Sequence, residues 1–143
     1  MYKRILIPTD GSKLSRKAIK HGISLAKSIK ATVTAVTVSA PIDGLAFELM
    51  TDTSEQYNKH AANLASKYLR VATDMATAAG VTCNVVHVEH HQPYEAIIIA
   101  AKKAHCDLIV MASHGRRGYA AVLLGSETVK VITHSKIPVL VYR

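Results

Sequence analysis

Five short stretches constrain this chain more than anything else in it: Lys3–Pro8 (KRILIP), Thr32–Val38 (TVTAVTV), Val81–Val88, Asp107–Met111 (DLIVM) and Pro138–Tyr142 (PVLVY). Each is apolar or β-branched over most of its length instead of alternating polar with apolar, the mark of a strand buried on both faces. Between them the period changes to three and four. Ala18, Ile19, Gly22, Ile23, Ala26 and Ile29 share one helical face after Ser12, whose hydroxyl can cap the first turn. Ala61, Leu64, Ala65, Tyr68, Ala72, Met75 and Ala79 mark a longer helix over 54–79, and Gly80 is a natural stop. Pro93 opens a helix through Lys103, as a first-turn proline can, and a last helix runs from Ser126 to His134. Residues 39–53 form a long connection, partly helical. Strands alternating with helices predict an α/β fold: one doubly wound domain over residues 1–143, its parallel sheet covered by helices on both faces.

Composition narrows the function classes. At 143 residues the chain fits one domain, and 49% hydrophobic content excludes intrinsic disorder. No run approaches the ~20 apolar residues of a membrane span. The basic-then-apolar opening, MYKRILIPTDGS, is too short in its apolar part for a secretory signal and ends at Pro8-Thr9-Asp10. Cys83 and Cys106 are therefore expected as reduced thiols, and the protein as cytoplasmic. Eighteen Lys+Arg against ten Asp+Glu give a formal charge of +8, which suggests an acidic partner. Lys13, Arg16, Lys17, Lys20 and Lys27 fall on the polar side of the first helix, the usual pattern of a solvated face. With one Phe and no Trp, specific nucleic-acid recognition has little stacking surface to use.

Open parallel sheets bind ligands beyond the carboxyl ends of their strands, where the strand order reverses. Three segments should converge there: Pro8-Thr9-Asp10-Gly11, Val38-Ser39, and Met111 to Gly118. The last leads through Tyr119–Leu124 to Gly125-Ser126 at a helix start. Glycine lets a backbone approach phosphate oxygens closely, and free N–H groups at a helix start favour an anion. Gly125-Ser126 is therefore either a phosphate cradle, with the Ser126 and Thr128 hydroxyls as further donors, or a pair of turn residues. Neither the P-loop nor the GxGxxG spacing is present. No nucleophile–base pair stands out, so no catalytic residue is assigned. His87, Glu89 and His91 would share one side of a strand, a spacing that can chelate, although a polar strand end before Pro93 explains them as well.

The opening KRILIPTDGS, the block MASHGRRGYAAVLLGSETVKVITHS and the ending KIPVLVYR together resemble the universal stress protein family over the whole chain. Its nucleotide-binding members carry Gly, two residues, Gly, nine residues, then Gly-Ser or Gly-Thr. Here those positions are Ala112, Gly115 and Gly125-Ser126, with alanine in place of the first glycine. If position 112 needs a positive φ, alanine costs about 1–2 kcal/mol; if it needs only close approach, the methyl presses on the ligand; otherwise it is neutral. The resemblance implies an adenine nucleotide alpha hydrolase-like sheet in the order 3-2-1-4-5 and a stress-response regulator binding ATP, with Mg²⁺ or Mn²⁺. Pro8, Thr9 and Val38 would line the adenine pocket, Asp10 would meet the ribose or a metal, and Met111 and Ala112 would cover base and ribose. His114, Gly115, Gly125, Ser126 and Thr128 would surround the phosphates, joined by Glu127, with Arg116 and Arg117 to neutralise charge. The resemblance further implies a homodimer paired through Val139, Leu140 and Val141 of the last strand. A nucleotide-free interaction module and a slow ATP hydrolase are the alternatives.

Overall fold

A computed structural model describes residues 1–43, 54–116 and 123–143. Its elements, in chain order, are β1 (Arg4–Pro8), α1 (Lys13–Ile29), β2 (Thr32–Ser39), α2 (Ser54–Ala79), β3 (Cys83–Glu89), α3 (Pro93–Lys103), β4 (Leu108–Ala112), α4 (Ser126–His134) and β5 (Val139–Tyr142). The five strands make one sheet, β3-β2-β1-β4-β5, with every pairing parallel. The expected order and α/β class are those observed. The connection expected over 39–53 lies outside the described residues beyond Asp43, as do Arg117, Gly118 and Tyr119.

Two apolar layers hold the sheet. Ile5, Ile7, Val33, Ala35, Leu108 and Val110 point to one face and pack against Ile19 and Ile23 of α1 and Leu69 and Ala72 of α2. Leu6, Val36, Ile109 and Met111 point the other way, against Ile97 of α3 and Val131 of α4. Ile5, Leu6 and Ile7 are all fully buried although they alternate between faces. That is why β1 reads as a continuous apolar run, and each such side chain contributes about 1.5–3 kcal/mol of burial. The outer strands depart from that expectation. β3 is an edge strand, and its Val85 is 46% exposed; β5 is the opposite edge, and its Leu140 is 49% exposed.

The helix ends follow local chemistry. Ser12 caps α1, its Oγ accepting from the Ser15 N–H at 3.1 Å. The same helix ends on Lys30 in the left-handed conformation, leaving Ile29 exposed and off the core face expected for it. Gly80 closes α2 at φ +71°. Along α2 the fully buried residues are Ala65, Leu69, Ala72 and Ala76, a four–three–four progression rotated from the expected stripe. Leu64, Tyr68, Met75 and Ala79 sit half-buried on its margin, and Leu69 occupies the centre. No helix among the described residues is long and apolar enough to cross a membrane.

Candidate functional site

Beyond the carboxyl ends of β1, β2 and β4 the structure opens a cleft of about 750 Å³. Lining it are Pro8, Thr9 and Asp10 after β1, Val38 from β2, and Met111 and Ala112 at the end of β4, while Arg117, also expected there, lies outside the described residues. His114, Gly115 and Arg116 follow from the next loop, and Gly125, Ser126, Glu127 and Thr128 from the start of α4. The sheet order explains this convergence, because β1 and β4 are neighbours whose following loops leave in opposite directions.

The β1 exit is organised by hydroxyls. The Gly11 N–H donates to Thr9 Oγ1 at 3.2 Å, and Thr9 Oγ1 pairs with Ser15 Oγ at 3.1 Å. Ser15 Oγ in turn donates to the Ser12 carbonyl at 2.9 Å. Thr37 Oγ1 adds a bond to the Thr9 carbonyl at 2.9 Å, joining the β1 exit to β2.

Asp10 bridges the two loops. Its Oδ1 accepts from the Ser12 N–H at 2.9 Å and its Oδ2 from the Arg116 N–H at 2.9 Å. Burial pushes its carboxyl pKa up, but hydrogen bonds from the Ser12 side chain and backbone, the Arg116 backbone and Ser15 outweigh it and hold the group below the usual aspartate value. Gly115 is required by this arrangement: a Cβ there would collide with Asp10 Oδ2. Arg116 turns its guanidinium over the Tyr68 ring of α2, 4.8 Å from its centroid, and hydrogen-bonds the Tyr68 hydroxyl.

The α4 end supplies donors of a different kind from those expected. The Gly125 N–H is not free, since it donates to the Ser113 carbonyl at 2.7 Å. The Thr128 hydroxyl is not free to donate either: it is buried and bonds the Ala112 carbonyl at 3.0 Å. Glu127 ties α4 to α3, accepting the Tyr94 N–H at 2.9 Å and the Lys130 ammonium at 3.0 Å. The amino terminus of α4 carries no side-chain cap, so its first-turn N–H groups and the exposed Ser126 hydroxyl are the donors that remain. Gly125 is confined as well, a Cβ there lying 3.1 Å from His114 Cα.

The backbone removes the strain considered for position 112. Ala112 is the last residue of β4, in register with Tyr142 of β5, and among the described residues the non-glycine ones with positive φ are Lys30 and His105. Alanine is unstrained here, and its methyl forms part of the cleft wall.

The cleft also takes in residues that the sequence did not place there: Ser15, Val36, Ala40, His91, Pro93 and Ile97. Ser15 follows the Ser12 cap by three residues, which was a usable signal; Val36 and Ala40 come from β2 and its exit, and His91, Pro93 and Ile97 from the β3–α3 turn and α3. The one-sided arrangement expected of His87, Glu89 and His91 does not form, because β3 ends at Glu89. His87 pairs with Ser39 Oγ at 2.7 Å, His90 lies 3.7 Å from Glu95, and His91 lies 3.7 Å from Asp43. Among the described residues no group of three or more His, Cys, Asp or Glu could hold a metal. Lys13, Arg16, Lys17, Lys20 and Lys27 are all exposed. Both cysteines are free thiols, and burial raises the pKa of each.

The sequence matches the universal stress protein family over residues 1–143. It is 36% identical to universal stress protein MJ0531 of Methanocaldococcus jannaschii across all of this chain and 83% of that protein. The fold superposes on universal stress protein UspA of Lactobacillus plantarum with a TM-score of 0.82 at 26% identity, covering 99% of this chain and 98% of that one. A universal stress protein solved in complex with cAMP superposes with a TM-score of 0.72, also at 26% identity, over 99% of this chain and 97% of that one. By whole-length sequence match and by fold, the chain belongs to the universal stress protein family.

Proposed function

We propose that this protein is a cytoplasmic stress-response regulator, a single domain over residues 1–143, that binds ATP in the cleft between β1, β2 and β4. The observation that carries this reading is the uncapped amino terminus of α4, opening onto a cleft that apolar strand-end residues also line. Free N–H groups at a helix start are a ready anion site, and the helix dipole adds favourable potential for a phosphate chain. Pro8, Val38 and Met111 offer apolar surface for an adenine, beside Thr9, whose hydroxyl is paired with Ser15. Asp10 stays ionised and retains lone pairs for a ribose hydroxyl. His114, Gly115 and Ser126 border the phosphate end beside Gly125, Glu127 and Thr128, whose side chains or N–H groups fix the walls. The related protein that binds cAMP supports an adenine ligand in this fold.

A divalent cation fits these residues only in part. Among the described residues Asp10 is the one cleft carboxylate not engaged by a lysine, and Mg²⁺ or Mn²⁺ characteristically takes one or two protein carboxylates and completes its shell with phosphates and water. When bound, the metal would neutralise phosphate charge. Asp10 would hold it, and Arg116 would supply the second positive charge.

Isothermal titration with ATP, with and without Mg²⁺ or Mn²⁺, tests the reading. Saturable binding that Gly115→Val removes is expected; no heat under any of these conditions overturns it. The same reading includes a two-fold dimer. β5 presents Leu140 at an open sheet edge, and an unpaired apolar edge invites a second strand, with Val139, Leu140 and Val141 at the centre of the pairing. Light scattering should give twice the chain mass, and Leu140→Lys should give the monomer.

A further inference from the structure

We infer that Tyr68 is a positioning residue for Arg116, an inference that rests on the nucleotide reading of the cleft. Tyr68 lies on α2, some fifty residues from either loop it touches, and does not line the cleft itself. Three contacts place it behind the phosphate end. Its ring fills the space beside Gly11, where a Cβ would collide with it, and Gly11 also needs glycine for its φ of +76°. Its ring face carries the Arg116 guanidinium, 4.8 Å from the centroid. Its hydroxyl accepts a hydrogen bond from Arg116 Nη2.

Arg116 is simultaneously anchored at its backbone, through the N–H donated to Asp10. An exposed arginine ordinarily samples many rotamers, and fixing it when an anion arrives costs binding energy. Here the ring and the hydroxyl fix it beforehand. One of the five guanidinium donors is spent on the tyrosine and the others remain for phosphate oxygens. Tyr68 thus acts on the ligand through Arg116. Through Gly11 it holds the β1 exit in the conformation that presents Asp10. The dependence is on the phosphates and not on the base, because the contacts of Tyr68 toward the cleft run through Arg116 and Gly11.

The experiment has two arms. In the first, the Arg116 side-chain Nε–H signal of the ligand-free protein, assigned by its loss in Arg116→Lys, should be shifted by the Tyr68 ring current. It should move to the position of a free arginine in Tyr68→Leu. A free-arginine position in the wild type overturns the inference with no nucleotide involved. In the second, ATP and adenosine are titrated into wild type, Tyr68→Phe, Arg116→Ala and the double variant. Tyr68→Phe should weaken ATP by about three- to tenfold, the worth of one net hydrogen bond, leave adenosine unchanged, and add nothing in the Arg116→Ala background. Equal losses for ATP and adenosine, or an undiminished loss without Arg116, would show a merely structural tyrosine and overturn the inference. A wild type that binds neither ligand removes the nucleotide reading and this role together. A wild type that binds ATP normally while Tyr68→Phe is unaltered removes only the role of Tyr68.

Discussion

Replacing Asp10 by asparagine changes almost no shape and exchanges one acceptor for a donor. In the native protein Oδ1 faces the Ser12 N–H and Oδ2 faces the Arg116 N–H, each at 2.9 Å. An amide offers one carbonyl oxygen and one NH₂, so whichever way it is turned, one backbone N–H meets another donor. Hydrogen bonds to a charged group contribute about 1.5–3 kcal/mol each. Since Asp10 is only partly buried, water compensates some of the loss, and Asp10→Asn should cost about 2 kcal/mol at pH 7. In a domain of this size that lowers Tm by roughly 6–8 °C. The charge makes the effect pH-dependent. Burial raises the Asp10 pKa, but the hydrogen bonds from Ser12, Arg116 and Ser15 outweigh it and hold the folded value below that of an ordinary aspartate. A group whose folded pKa is depressed stabilises fully above its unfolded pKa and loses that contribution as pH falls through the folded one. Wild type and Asp10→Asn should therefore differ most at neutral pH and converge below about pH 4. Urea unfolding followed by circular dichroism at steps from pH 7 to pH 3 measures this, and other acidic groups such as Asp107 cancel in the difference. Equal stabilities at pH 7, or a gap that stays constant down to pH 3, would refute the bridging role of Asp10.

Leu69→Ala should destabilise by about 2–5 kcal/mol, as for a fully packed leucine, while Leu64→Ala on the margin of α2 should cost less than half as much in the same denaturation assay. An alanine methyl at Gly22 would lie 2.5 Å from Ile7 Cδ1, so Gly22→Ala should destabilise by roughly 1 kcal/mol despite alanine's better helix propensity. Ile7→Val removes that methyl, and the double variant should be more stable than the sum of the two single changes predicts; strict additivity would contradict the contact. Gly115→Ala should weaken ATP binding more than it lowers Tm, because it displaces the Asp10 carboxylate from the Arg116 N–H without disturbing either core layer; calorimetry and a thermal melt on the same sample separate the two.

Local sequence carried the secondary structure because its signals are local. The proline at the start of α3, the serine before α1 and the glycine after α2 act within one turn of the chain. The place of the cleft was legible for a related reason, since in a parallel sheet the residues following the strands emerge at one end. The state of each donor could not be read the same way. Thr128 looks like an open hydroxyl in the sequence, and only the approach of the Ala112 carbonyl, sixteen residues away, occupies it. Gly125 looks like an open N–H, and Ser113 takes it.

The sequence by itself determined the alternation of strands and helices, the end of the sheet where a ligand can enter, and the small residues at 115 and 125 that keep that end open. Its periodicity misplaced the centre of α2, because a 3.6-residue stripe specifies a face only to within a residue. The sheet beneath α2, together with α1 beside it, selected Leu69 and Ala76 over Leu64 and Met75. Tertiary structure alone decided that Ala112 is unstrained strand, that β3 and β5 are open edges, and that a tyrosine on α2 seats both Gly11 and Arg116. Those outcomes depend on contacts between segments far apart in the chain, and nothing within a single turn of sequence encodes them.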